Sequence, residues 1–202
     1  ADLQVVVESR LDTHTRSYQL RRGVKTEHYF DSLAESPNFK SQVHVLQTGS
    51  HKVNTAVIFP QDHEYGSKKL PVMMRPYGGP PGPQVQNGAL SYAIDQWFAD
   101  QGFVVIIADN RGTGGRGPAW DHAIYQDFVN PVIDDQVSAI ADVAGHFPDD
   151  VDASRVGITG WSFGGYLSAL AVMKRPDVFH AAVAGAPVTE WLWYDTAYTE
   201  RY

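Results

Sequence analysis

The sequence predicts an α/β domain with a mostly parallel sheet and flanking helices. Three observations carry this. Residues 103–108, FVVIIA, form a continuous β-branched run, the composition of a strand buried on both faces. Residues 132–147 repeat apolar positions at helical spacing, and residues 155–159 return to strand character. Strands that alternate with helices in this way imply right-handed crossovers, and so parallel pairing.

The elements follow in order. Residues 3–8 and 15–20 read as short strands, and Asp12, Thr13 and His14 between them suggest a hairpin that Gly23 punctuates. Residues 31–42 are polar, contain Pro37 and Asn38, and read as a linker. Residues 1–35 are therefore expected to be a connecting segment, and 36–202 the α/β domain. Residues 43–48 and 56–59 look like a meander, hence an antiparallel edge. Residues 70–75 are a compact apolar run bounded by Pro71 and Pro76, and the loop PYGGPPGP follows at 76–83. Residues 91–101 predict a helix whose apolar face is Ile94, Trp97 and Phe98, stopping at Gly102. The 132–147 helix has a stripe of Ile133, Val137, Ile140 and Val143 (or Ala144). After residues 155–159 come GWSFGGY and a helix to about Lys174, with Pro176 beyond its end. Residues 180–184 read as a further strand.

Composition narrows the function. The 202 residues are 43% hydrophobic and 19% charged, ordinary for a globular chain, with a formal net charge of −7. An acidic chain without a basic stripe argues against nucleic acid and against an anionic membrane surface as partners. There is no cysteine, which excludes disulfides, thiolate metal sites and a cysteine nucleophile. That absence fits a cytoplasmic location, while secretion or a periplasmic home stays open. No apolar run approaches the roughly 20 residues that span a bilayer. The opening ADLQVVVESR lacks the basic and apolar regions of a signal peptide.

Chemistry concentrates at Gly160-Trp161-Ser162-Phe163-Gly164, a G-x-S-x-G pattern extended by Gly165. A strand precedes it and a helix follows, the setting of a nucleophile elbow in an α/β-hydrolase fold. The serine must sit on a tight, strained turn, so its neighbours must lack bulk. The helix N-terminus then offers free N–H groups to the oxyanion of acyl transfer. The bland alternative is a glycine-rich strand–helix turn that binds nothing. Tyr77, on the rigid loop after the 70–75 strand, can supply a second oxyanion donor through its hydroxyl; a packing tyrosine on a plain turn is the competing reading. Trp191, Tyr194 and Tyr198 fall at i, i+3 and i+7, one face of a helix. That face is either core or, at the carboxyl edge of the sheet, a ligand pocket suited to a compact ring such as proline. The loop DNRGTGGRG at 109–117 fits no phosphate-binding fingerprint, so Arg111 or Asp109 is expected to brace the site or an interface.

A serine of this kind needs a histidine base oriented by a carboxylate, and both follow the serine in the hydrolase order. His180 is the only later histidine, and its position at a strand start reads as structural. The acid and base are therefore expected outside this chain, with the sheet cut before its last strands. The other histidines show no metal-ligand spacing, and neither metal nor cofactor is expected.

GWSFGGYLSAL, PYGGP, DNRGTGGRG and the terminal APVTEWLWYDTAYTERY jointly resemble the catalytic domain of the prolyl oligopeptidase family, closest to its dipeptidyl peptidase IV branch. The resemblance runs from about residue 40 to the last residue. It implies Ser162 as nucleophile, the Tyr77 hydroxyl and the Phe163 N–H as oxyanion donors, and Val188, Trp191, Tyr194 and Tyr198 with the Phe163 ring as the pocket for proline or alanine. Phe163 departs from the tyrosine often found there and loses a hydroxyl. The resemblance also implies that residues 1–35 end an N-terminal β-propeller or connect to one. The propeller's amine-binding glutamates have no counterpart in this chain.

The expected activity is a serine peptidase releasing Xaa-Pro or Xaa-Ala dipeptides, with peptides as its partners. An acylaminoacyl peptidase or a carboxylesterase is the alternative on the same scaffold, and a non-catalytic binding protein the alternative from another class. An exposed apolar strand edge would favour a homo-oligomer.

Overall fold

The computed structural model describes residues 2–12, 15–35, 40–80 and 82–202. Thr13 and His14 of the expected hairpin turn, Pro37 and Asn38 of the linker, and Pro81 of the glycine–proline loop lie outside them. Among the described residues the strands form two sheets.

The first sheet is antiparallel: β1 (Leu3–Glu8), β2 (Ser17–Arg22) and β3 (Lys25–Phe30). The second strand begins two residues later than the sequence suggests. The third was not legible, because KTEHYF lacks a clear apolar alternation. Gly23, at φ 58°, opens the two-residue turn that joins β2 to β3. The backbone carbonyl of Arg10 accepts from the Ala89 N–H at 3.0 Å, and Leu11 packs onto the larger domain.

The second sheet contains β4 (Gln42–Thr48), β5 (Val53–Phe59), β6 (Leu70–Met74), β7 (Val104–Asp109), β8 (Val151–Trp161) and β9 (Ala181–Gly185). The spatial order is β4-β5-β7-β6-β8-β9. The β4 and β5 strands pair antiparallel at one edge, as the meander suggests, and every pair from β7 to β9 is parallel. Pro71 lies inside a central strand, yet the register shifts between Pro71 and Val72, where a missing N–H is tolerated.

Helices cover both faces: α1 (Ala93–Asp100) on one, α3 (Asn130–His146) and α4 (Phe163–Lys174) on the other. The short α2 (Pro118–Asp121) and α5 (Thr196–Thr199) lie in connections. Alternate β7 residues point to opposite cores. Val104 and Ile106 meet Ile133, Ile140 and Val143 of α3 and Leu167 of α4, while Val105 and Ile107 meet Tyr92 and Ala99. All six β7 residues are buried, so the FVVIIA run is a strand shielded on both sides. Each of its valine and isoleucine side chains contributes about 1.5–3 kcal/mol of burial.

Of the three apolar residues expected to face inward from α1, only Phe98 packs against the core. Ile94 and Trp97 are 63% and 58% exposed, and the buried positions are Asp95, Gln96 and Ala99. Polar pairing permits this inversion. The Gln96 side chain donates to the Phe59 carbonyl at 3.0 Å, and Arg75 reaches Asp95 at 2.6 Å.

Among the described residues β9 is paired only on its β8 side, and its Val183 is 67% exposed. Such an edge is a template for pairing with another chain. The 202-residue chain should therefore self-associate on sizing chromatography, and Val183→Lys should shift it toward monomer. A clean monomer for the unmodified chain would contradict this.

Candidate active site

The strand β8 ends at Trp161 and the helix α4 begins at Phe163, so one residue, Ser162, makes the turn. Its φ of 58° and ψ of −118° lie where side chains rarely go. Its N–H donates to the Gly185 carbonyl at 3.0 Å, and its carbonyl accepts from the Tyr166 N–H at 3.0 Å. That second bond opens the helical ladder. The N–H groups of Phe163, Gly164 and Gly165 stand ahead of it, at the positive end of the helix.

The glycines make this turn sterically feasible. A Cβ on Gly160 would come within 2.5 Å of the Gly164 backbone, and one on Gly164 within 2.6 Å of the Pro76 carbonyl oxygen. A Cβ on Gly165 would collide with the Gly185 carbonyl of β9. Three backbone segments thus meet at distances that only glycine allows.

The Pro76 segment is the loop after β6. It carries Tyr77, which is half-buried with its ring 6.3 Å from that of Phe163. Burial pushes the Tyr77 phenol above its ordinary value, Tyr194 adds to this, and a side-chain hydrogen bond with Ser162 opposes it. A raised phenol stays protonated, and able to donate, through neutral pH. Farther along, the Tyr198 hydroxyl donates to the Pro80 carbonyl at 3.1 Å. The Asp109 carboxylate accepts from the Gln84 and Val85 N–H groups at 2.7 and 3.0 Å. Asp109 therefore braces the loop that holds Tyr77. Arg111 braces from behind, pairing with the buried Asp135 of α3 at 3.0 Å.

Beside Ser162 lies a cluster of rings. Trp191 and Tyr198 stack with centroids 6.0 Å apart and planes 7° from parallel, and Tyr194 stands edge-on to both at 5.6 and 5.5 Å. The single helix face expected for these three is not what brings them together. Trp191 lies on a short 3₁₀ turn, Tyr194 is extended, and Tyr198 lies on α5. The reason is two caps in six residues: Glu190 accepts from the Leu192 N–H, and Asp195 from the Tyr198 N–H at 2.9 Å. Val188 is half-buried between β9 and the 3₁₀ turn.

Phe128, which precedes α3, was not legible from sequence pattern. Its ring sits 4.8 Å from Trp191 and 5.9 Å from the buried Phe163 ring, joining the ring cluster to the elbow. Only its place before the helix-opening Pro131 could have drawn notice. A cavity of about 450 Å³ opens against Phe128 and Trp191, lined also by Tyr166, Thr199 and Tyr202; Ser162 and Tyr77 are not among its lining. The geometry at the serine therefore marks the chemical centre better than cavity size does.

His180 has another employment. Its Nδ1 accepts from the Val156 N–H at 3.2 Å, while its own N–H donates to the Val156 carbonyl, clamping the start of β9 to β8. Both bonds tie His180 to the neighbouring strand.

The model of the prolyl oligopeptidase family matches residues 89–202. The chain belongs to the prolyl oligopeptidase family. Mouse (Mus musculus) dipeptidyl peptidase 8 is 45% identical over 145 residues, covering 71% of this chain and 16% of that protein. Mouse prolyl endopeptidase FAP is 31% identical over 164 residues, covering 81% of this chain and 21% of that protein. The crystal structure of Porphyromonas gingivalis dipeptidyl peptidase 4 superposes with a TM-score of 0.85 at 29% identity, over 99% of this chain and 29% of that one. The chain thus spans about a fifth or less of the curated relatives it matches, and its fold is the family's α/β-hydrolase fold. No described helix is long and apolar enough to cross a membrane.

Two glycines offer a paired test of the elbow packing in the full-length protein. Gly165→Ala should cost about 1–3 kcal/mol in denaturant unfolding through overpacking against β9. Gly145→Ala, in α3 with open space around it, should be neutral or stabilise by about 0.4–1 kcal/mol. Equal effects would contradict the steric account.

Proposed function

We propose that this chain carries the nucleophile of a serine peptidase that cleaves after proline or alanine and releases N-terminal dipeptides. One observation carries the reading: Ser162 stands alone on a strained strand–helix turn at the N-terminus of α4, with the Tyr77 side chain in hydrogen-bonding contact with it. Ser162 Oγ attacks the peptide carbonyl, and its proton passes to a general base. The oxyanion is held by the Phe163 N–H and the Tyr77 hydroxyl. Collapse expels the amine and leaves an acyl-enzyme, which water hydrolyses. On this reading the base and its carboxylate come from outside these 202 residues. Trp191, Tyr194, Tyr198, Val188 and the buried edge of Phe163 would enclose a flat, compact apolar side chain, which suits proline and alanine and disfavours longer ones.

The test is steady-state kinetics of the full-length protein on Gly-Pro and Ala-Pro p-nitroanilides against short acyl esters. The prolyl substrates should dominate; turnover of esters alone would support a carboxylesterase instead. Ser162→Ala should lower kcat by at least about 10⁴-fold. Tyr77→Phe, which keeps the ring, should lower kcat by about 10²–10³-fold with KM nearly unchanged, since one oxyanion donor is lost. A change confined to KM would assign Tyr77 to substrate binding.

A further inference from the structure

The loop that carries Tyr77 contains a conformational weak point. Gly78 follows Tyr77 directly and has φ 77°. A side chain there would meet Leu167 at 2.7 Å and Asn110 Oδ1 at 3.1 Å, so the position is held to glycine by both conformation and space. Glycine at that point leaves the peptide free to turn, and each turn would redirect the tyrosine before it.

Asn110 removes this freedom. It is fully buried at the end of β7. Its side-chain Nδ2 donates to the Gly78 carbonyl at 2.8 Å and to the Arg111 carbonyl at 2.7 Å. Its Oδ1 accepts from Gln136 Nε2 of α3 at 2.9 Å, and the same Nε2 donates to the Ala108 carbonyl at 3.0 Å. Both hydrogens and the oxygen of the amide are therefore engaged, so its orientation is unambiguous. Gln136 is itself completely buried, so α3 anchors the clamp from inside the core. Buried bonds of this kind hold geometry tightly, because breaking one strands a polar atom away from water.

We propose that Asn110 is a positioning residue: it fixes the Gly78 peptide and so aims the Tyr77 hydroxyl at the oxyanion. The proposal rests on the functional reading above, and it adds a residue that never touches substrate. Asn110→Asp preserves shape but sets an acceptor against the Gly78 carbonyl; Asn110→Ser shortens the side chain and serves if the aspartate variant fails to fold.

The experiment is a double-mutant cycle in the full-length protein, combined with fluorine NMR of 3-fluorotyrosine placed at position 77. Each Asn110 variant should lower kcat by about 10–100-fold with KM little changed. In the Tyr77→Phe background the same substitution should cost less than about threefold, because its target is already gone. The fluorine resonance should shift or split in the Asn110 variants. An Asn110 effect that is equally large with and without the Tyr77 hydroxyl would overturn the proposal. So would an unmoved fluorine signal, whatever the kinetics. If Tyr77→Phe were itself kinetically silent, the oxyanion role of Tyr77 would fall, and with it the catalytic relevance of Asn110. The fluorine signal would then still report separately whether Asn110 holds Tyr77.

Discussion

Everything at the site depends on the crowding of backbone around Ser162. The elbow at 160–165 touches the loop after β6 through Gly164 and Pro76, and the end of β9 through Gly165 and Gly185. Ser162 cannot relax out of its positive-φ turn because its N–H is held by β9 and its carbonyl opens α4. Strain of order 1–3 kcal/mol persists only where surroundings over-determine the conformation. Here three segments from distant parts of the chain do so. The result is a hydroxyl at the tip of a turn, with helix N–H groups behind it.

A second layer of polar clamps holds the facing loop. Asp109, Asn110 and Arg111 are consecutive, and each fixes a different partner: Gln84 and Val85, Gly78, and Asp135. Burial raises the Asp109 carboxyl, while the two N–H groups of the loop pull it the other way. Arg116 closes the same segment outward, lying 3.8 Å over the Trp120 ring and donating to the Lys52 carbonyl. The glycine-rich stretch at 109–117 is thus a bracket between β7, the Tyr77 loop and α3. The ring cluster joins in at the far side, where Tyr198 both stacks on Trp191 and ties to Pro80.

Much of this was legible in the sequence, for identifiable reasons. The central strands β6 and β7 are compact apolar runs, β4 alternates at the antiparallel edge, and G-x-S-x-G between strand and helix permits few structures. Family membership and the hydrolase fold follow from those blocks. Other features were hidden because they depend on partners distant in sequence. The inward face of α1 is polar, so hydrophobic spacing pointed outward to Ile94 and Trp97. The C-terminal rings share a spacing that imitates one helix, while the caps at Glu190 and Asp195 divide it. Asn110 sits in the quoted 109–117 motif, yet neither its spacing nor that of Phe128 names a partner; their contacts reach residues distant in sequence, Gly78 and Gln136 for Asn110 and Phe163 and Trp191 for Phe128.

The central claim is that Ser162 is a reactive nucleophile in an assembled oxyanion site. Mass-spectrometric mapping of a fluorophosphonate adduct on the full-length protein tests it most directly. The account predicts one stoichiometric adduct on the peptide containing Ser162. An unmodified Ser162, or an adduct on a different serine, would contradict it.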